Sequence, residues 1–116
     1  MPTDFRDGRT FPRRGRTQLG PFLWLARVFD KARASAEDTI FDYIYPCPID
    51  EGMFEHWGIT ADDFDEAIAK HRDDDGIQAW VESRTSEGAV EAANDWLIAE
   101  YSENLDHQDR EEGVGA

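Results

Sequence analysis

At 116 residues with 40% apolar side chains, the chain is long enough for one domain with one core and too short for two. Its single cysteine excludes an intramolecular disulfide framework, and no apolar run reaches the roughly 20 residues that span a bilayer. The net charge of −14, from 26 acidic against 12 basic side chains, argues against a nucleic-acid partner because phosphates are repelled at long range.

The charge is unevenly placed. Residues 1–33 carry eight basic and three acidic side chains, whereas 34–116 carry four and twenty-three. Residues 1–18 mix Gly, Pro and Arg without a hydrophobic period and are expected to form an extended basic arm. Arg13, Arg14 and Arg16 in that arm can fan towards the acidic body. No apolar stretch with a small-residue cleavage site follows, so the N-terminus does not read as a signal peptide. A cytoplasmic protein with no membrane association is the expectation.

Gly20-Pro21 opens the first helix, expected over 21–36, with Pro21 near the position where its missing N–H costs nothing. Phe22, Leu25, Ala26, Phe29 and Ala32 form an i, i+3, i+4, i+7 stripe, with Asp30, Lys31 and Arg33 largely on the other side. Thr39–Tyr45 then alternates with period two and suggests a strand, or a merely extended segment. Pro46 and Pro48 hold Cys47 out of helix and fix the direction of its thiol. Asp50 is placed to cap a short helix over Glu51–Trp57, closed by Gly58 in the left-handed region.

Thr60–Asp63 reads as a capping box for a helix reaching about His71. Asp74 or Asp75 caps the next, which buries Ile77, Trp80 and Val81. Ser86 caps a last helix over roughly 87–104, with Val90, Ala93, Trp96, Leu97 and Tyr101 inside. The fold class is therefore all-α: a small single-domain bundle of about five helices over 19–104 with one extended central segment. Residues 105–116, polar and Gly-ended, read as a disordered acidic tail.

Several stretches read together resemble a known family. They are TQLGPFLWLARVFDKARA, DYIYPCPID and FEHWGITADDFDEAI, with a further match from Asp75–Val81 to Trp96. The resemblance is to the bacterial domain-of-unknown-function family 5069 and covers roughly residues 10–97. It implies a one-domain helical architecture and no assigned activity. Ile49 stands where that family usually has leucine, and Ala26 where it usually has proline, which implies a straighter first helix.

A site is sought first in Tyr43–Trp57, which holds the only cysteine and two of the five prolines. Cys47, near a helix N-terminus, is the candidate nucleophile; its bland role is that of a small buried apolar group. His56, His71 and His107 lack metal-ligand spacing, so no metal site is assigned, and the sequence identifies no cofactor either way. His71–Glu82 approaches a calcium-loop spacing through Asp73, Asp75, Gly76 and Glu82, but His71 stands where an aspartate is needed. The simpler reading is an acidic helix start. Asp30, Lys31, Arg33 and Asp50 form either a small-ligand pocket beside Tyr43 and Tyr45 or a set of salt bridges locking the arm.

Three functions follow. The first is a module binding a partner protein or small ligand through segment 43–57, using Asp30, Arg33, Tyr43, Tyr45, Cys47, Asp50 and His56. Its discriminator is an exposed apolar patch around Phe41, Tyr45, Phe54 and Trp57. The second is a small enzyme using Cys47 or a carboxylate cluster. The third is a homodimer pairing through residues 39–45. Fifteen Asp against eleven Glu and ten Arg against two Lys suit either salt adaptation or a GC-rich genome.

Overall fold

Three of the five helices begin where the sequence supplies a side-chain acceptor for backbone amides that have no partner in the first turn. In a computed structural model that describes residues 3–112, α1 is Leu25–Ala36, α2 Pro48–Trp57, α3 Ala61–Lys70, α4 Asp74–Arg84 and α5 Ala89–Glu111. The described residues form no strand. Thr60 and Asp63 make the expected box at α3. At α4 the cap is Asp73, accepting from the Gly76 amide, rather than Asp74 or Asp75. α5 follows Gly88 in the left-handed region rather than Ser86.

α2 starts earlier than the sequence suggests. Cys47 is its N-cap, Pro48 opens the helix, and Asp50 sits three residues in as the reciprocal partner. The Asp50 amide donates to Cys47 Sγ and the Cys47 amide to the Asp50 carboxylate. Proline blocks a helix interior but suits its first position, where the N–H has no helical acceptor. Gly58 ends α2 in the left-handed region as expected.

α1 starts later, at Leu25. Leu19 and Phe22 exchange backbone hydrogen bonds at 3.0 Å across Gly20-Pro21, and Trp24 takes φ +71° as the N-cap. Such a conformation costs a non-glycine residue about 1–3 kcal/mol. Trp24 is held there by its amide, which donates to Gly15 at 2.8 Å, and by its buried indole, which donates to Asp50. The stripe from Phe22 to Ala32 is buried as expected. The opposite side is not solvent-facing, because Asp30 and Lys31 are 0% and 3% exposed. The arm and the start of α2 cover it, bringing Arg13 and Asp50 against those two side chains.

The core joins Phe22, Phe54, Trp57 and Phe64 in edge and tilted ring contacts. α2 packs on α5, and α1 on α3 and α4. Gly52 permits the first of these contacts, since a Cβ there would lie 2.1 Å from the Trp96 ring.

Two expectations need correction. Residues 39–45 form no strand: Phe41 and Asp42 make a turn within an irregular segment, and positive φ at Phe41, after Asp38, breaks the alternation. The sequence from 105 is not a disordered tail as far as Glu112: α5 kinks at Tyr101 and continues to Glu111. Leu105 and Gln108, three apart on one face, are both buried, and Gln108 accepts from the Gly15 amide at 2.9 Å. Residues 113–116 lie outside the described residues. No described helix is long and apolar enough to cross a membrane.

Candidate functional site

The seven candidates Asp30, Arg33, Tyr43, Tyr45, Cys47, Asp50 and His56 do not share one site. They divide among two buried ionic clusters, a clasp on the last turn of α5, an aromatic contact and a surface cleft.

Asp50, brought inward by the first turn of α2, is fully buried. Its Oδ1 accepts from Trp24 Nε1 at 2.7 Å, and its Oδ2 from Lys31 Nζ at 2.8 Å and the Cys47 amide at 2.9 Å. A buried carboxylate is tolerable only when paired and hydrogen-bonded in this way. Lys31 Nζ also lies 3.4 Å from Cys47 Sγ. The cation beside the thiol is thus already matched by Asp50, and Cys47 serves as a helix cap. Trp24 and Lys31 complete this cluster, and their separation of seven residues was the available signal that they share a face.

Asp30 is the second buried carboxylate. Arg13 donates to it from its backbone amide, Nε and NH2, and reaches Asp74 at 2.8 Å. Burial alone would lower the Arg13 pKa, but the hydrogen bonds to Asp74 and Asp30 outweigh it and hold Arg13 above its ordinary value. Asp74 is correspondingly held below the usual carboxylate range, chiefly by Arg13. Arg33 shares Asp30 Oδ1 with Arg13. Burial lowers its pKa, and Asp30 offsets this only in part.

Tyr43 donates to Glu112 at 2.5 Å, and Arg27 pairs with the same carboxylate at 3.2 Å. The Arg27 guanidinium lies 5.6 Å from the Trp24 and Tyr43 ring centres, so this group fastens the end of α5. His56 is separate, with Nδ1 2.8 Å from the Gly52 carbonyl and its ring against Trp96. In the calcium-like stretch, Asp73 caps α4 and Asp74 binds Arg13. The apolar patch expected around Phe41, Tyr45, Phe54 and Trp57 does not form, because Phe54 and Trp57 are core residues. Phe41 remains 58% exposed, beside Ile44 at 70%.

Tyr45 and Arg33 instead border a cleft of about 540 Å³ between the C-terminal half of α1, α3 and Tyr45-Pro46. Ala32, Ala36, Ile68 and Ala69 supply apolar lining; Arg33, Glu37, Asp65 and Arg72 supply charge. The Tyr45 hydroxyl donates to Asp65 at 2.7 Å, and burial first, then Asp65, pushes its pKa above the ordinary tyrosine value. The α3 residues of the cleft gave no sequence signal. Asp65 and Ala69, with Arg72 just beyond the helix, read as ordinary exposed positions, and only the packing of α3 on α1 turns them into a wall.

Residues 9–113 match the family described as a domain of unknown function (DUF5069). No curated protein matches the sequence. The match spans nearly the whole chain, and the protein belongs to that family.

Proposed function

We propose that the protein is a small-molecule-binding module whose site is the cleft between α1, α3 and Tyr45-Pro46. One observation carries this reading: a cleft of about 540 Å³ combines an apolar floor with four charged side chains. Small-molecule sites typically enclose about 300–1,000 Å³, with a few polar groups fixing orientation. The alanines at 32, 36 and 69 keep the space open. The central segment contributes through Tyr45 and Pro46 alone, since α2 belongs to the core.

A partner-protein reading has narrower support, in the adjacent exposed side chains Phe41 and Ile44. For the enzyme reading, Cys47 is occupied as a cap and Lys31 by Asp50. The surplus of carboxylates further supports a surface suited to high ionic strength.

Thermal denaturation against a panel of amino acids, organic acids and nucleotides tests the cleft, with Ala69→Trp as the blocked variant. A ligand at one hundred times its dissociation constant adds about 2.7 kcal/mol, roughly ten degrees or more for this size. At least one compound is expected to stabilise the wild type and not Ala69→Trp. Equal stabilisation of both, or of neither, would overturn the reading.

A further inference from the structure

Seven of the twelve basic side chains are ion-paired among the described residues, to seven carboxylates in all. Among the described residues nineteen carboxylates therefore have no cation, yet Arg72 at the cleft has no carboxylate partner there. Arg33, in the same lining, is the under-compensated member of its cluster. Its NH2 shares Asp30 Oδ1 with Arg13, its Nε donates to the Phe29 carbonyl, and its NH1 makes no hydrogen bond among the described residues. Two guanidinium groups with spare donors suit a carboxylate, whose two oxygens match their planar fork.

The same cleft also carries acid. Glu37 is the C-cap of α1 and has no ion pair among the described residues. The C-terminal end of a helix bears partial negative charge, so this end of the cleft attracts an ammonium group. Asp65, oriented by Tyr45, adds a second acceptor. Ala32, Ala36, Ile68 and Ala69 line the apolar part. The four charged linings cancel formally, in a molecule of net charge −14. A simple anion would meet the carboxylates of Glu37 and Asp65, and a simple cation the unpaired Arg72 and the under-compensated Arg33.

Resting on the reading of this cleft as a small-molecule site, we propose that its ligand is amphoteric: an apolar amino acid or a short peptide of apolar residues. Its carboxylate takes Arg33 and Arg72, its ammonium group takes Glu37 and Asp65, and its side chain lies on the alanine floor.

Calorimetric titration with leucine, leucyl-leucine, N-acetyl-leucine and leucinamide tests this. Leucine or the dipeptide is expected to bind, the tighter one reporting the length the cleft takes. Removing either charge, in N-acetyl-leucine or leucinamide, is expected to weaken binding about tenfold or more, the loss of a charge-assisted contact. Arg72→Gln should weaken leucine and leave leucinamide unchanged, while Glu37→Gln should weaken leucine and leave N-acetyl-leucine unchanged. No binding of leucine or leucyl-leucine, or N-acetyl-leucine binding as tightly as leucine, overturns the proposal. A different compound that stabilises the wild type but not Ala69→Trp would then leave the cleft as the site and the amphoteric ligand refuted.

Discussion

Asp50 illustrates how a single buried charge organises its neighbours. Its oxygens take an indole, an ammonium and a backbone amide, so removing the ammonium leaves a buried anion short of its counter-charge. Lys31→Met is therefore expected to cost about 3–5 kcal/mol in urea denaturation. A loss under about 1 kcal/mol would indicate a solvated surface pair instead. The tyrosines set the alkaline limit. Burial and a carboxylate acceptor raise Tyr43 and Tyr45 above the ordinary 10.0. Folding then binds their protons more tightly than the unfolded chain does. Their stabilisation is complete below pH 10 and lost as pH climbs through the raised values. Thermal midpoints should fall above about pH 10, and Tyr45→Phe should flatten that fall. At this scale the sequence identified Asp30 and Asp50 as members of ionic clusters. It set Asp30, Lys31 and Arg33 opposite the apolar stripe and allowed for salt bridges to the arm, but periodicity on α1 cannot reveal how completely the arm and the start of α2 bury Asp30 and Lys31.

The five helices were legible as elements because capping residues and apolar stripes coincide at α3 and α4. Their ends were less so. Trp24 stops α1 from extending back to Pro21 through a left-handed residue that tertiary contacts hold. The last turns of α5 look like a solvated acidic tail, with Leu105 and Gln108 as the only inward residues. Those two clamp the arm, and a Cβ at Gly15 would lie 2.6 Å from Leu105 and 2.5 Å from Trp24. Leu105→Ala should cost about 2–5 kcal/mol by chemical denaturation. Gln108→Ala leaves the Gly15 amide without its partner and should cost about 1–3 kcal/mol. Wild-type stability in both variants would show that the end of α5 does not hold the arm.

Over the whole molecule, attraction is used internally and repulsion is left outside. The paired arginines lie largely in the arm and α1, while nineteen carboxylates face no cation among the described residues. Salt shortens the reach of that repulsion from about 10 Å at 0.1 M to about 3 Å at 1 M. The thermal midpoint should rise with sodium chloride over that range, and a steady fall would mean that the arm's ion pairs outweigh the surface charge. The cleft also belongs to this scale. Its walls come from α1, the central segment and α3, so no single stretch of sequence announces it. The most direct measurement is amide-resolved NMR of the labelled protein titrated with leucine and leucyl-leucine. Binding in the cleft predicts shift changes centred on Ala32, Ala36, Tyr45, Ala69 and Arg72; changes centred on Phe41 and Ile44, or none, would contradict it.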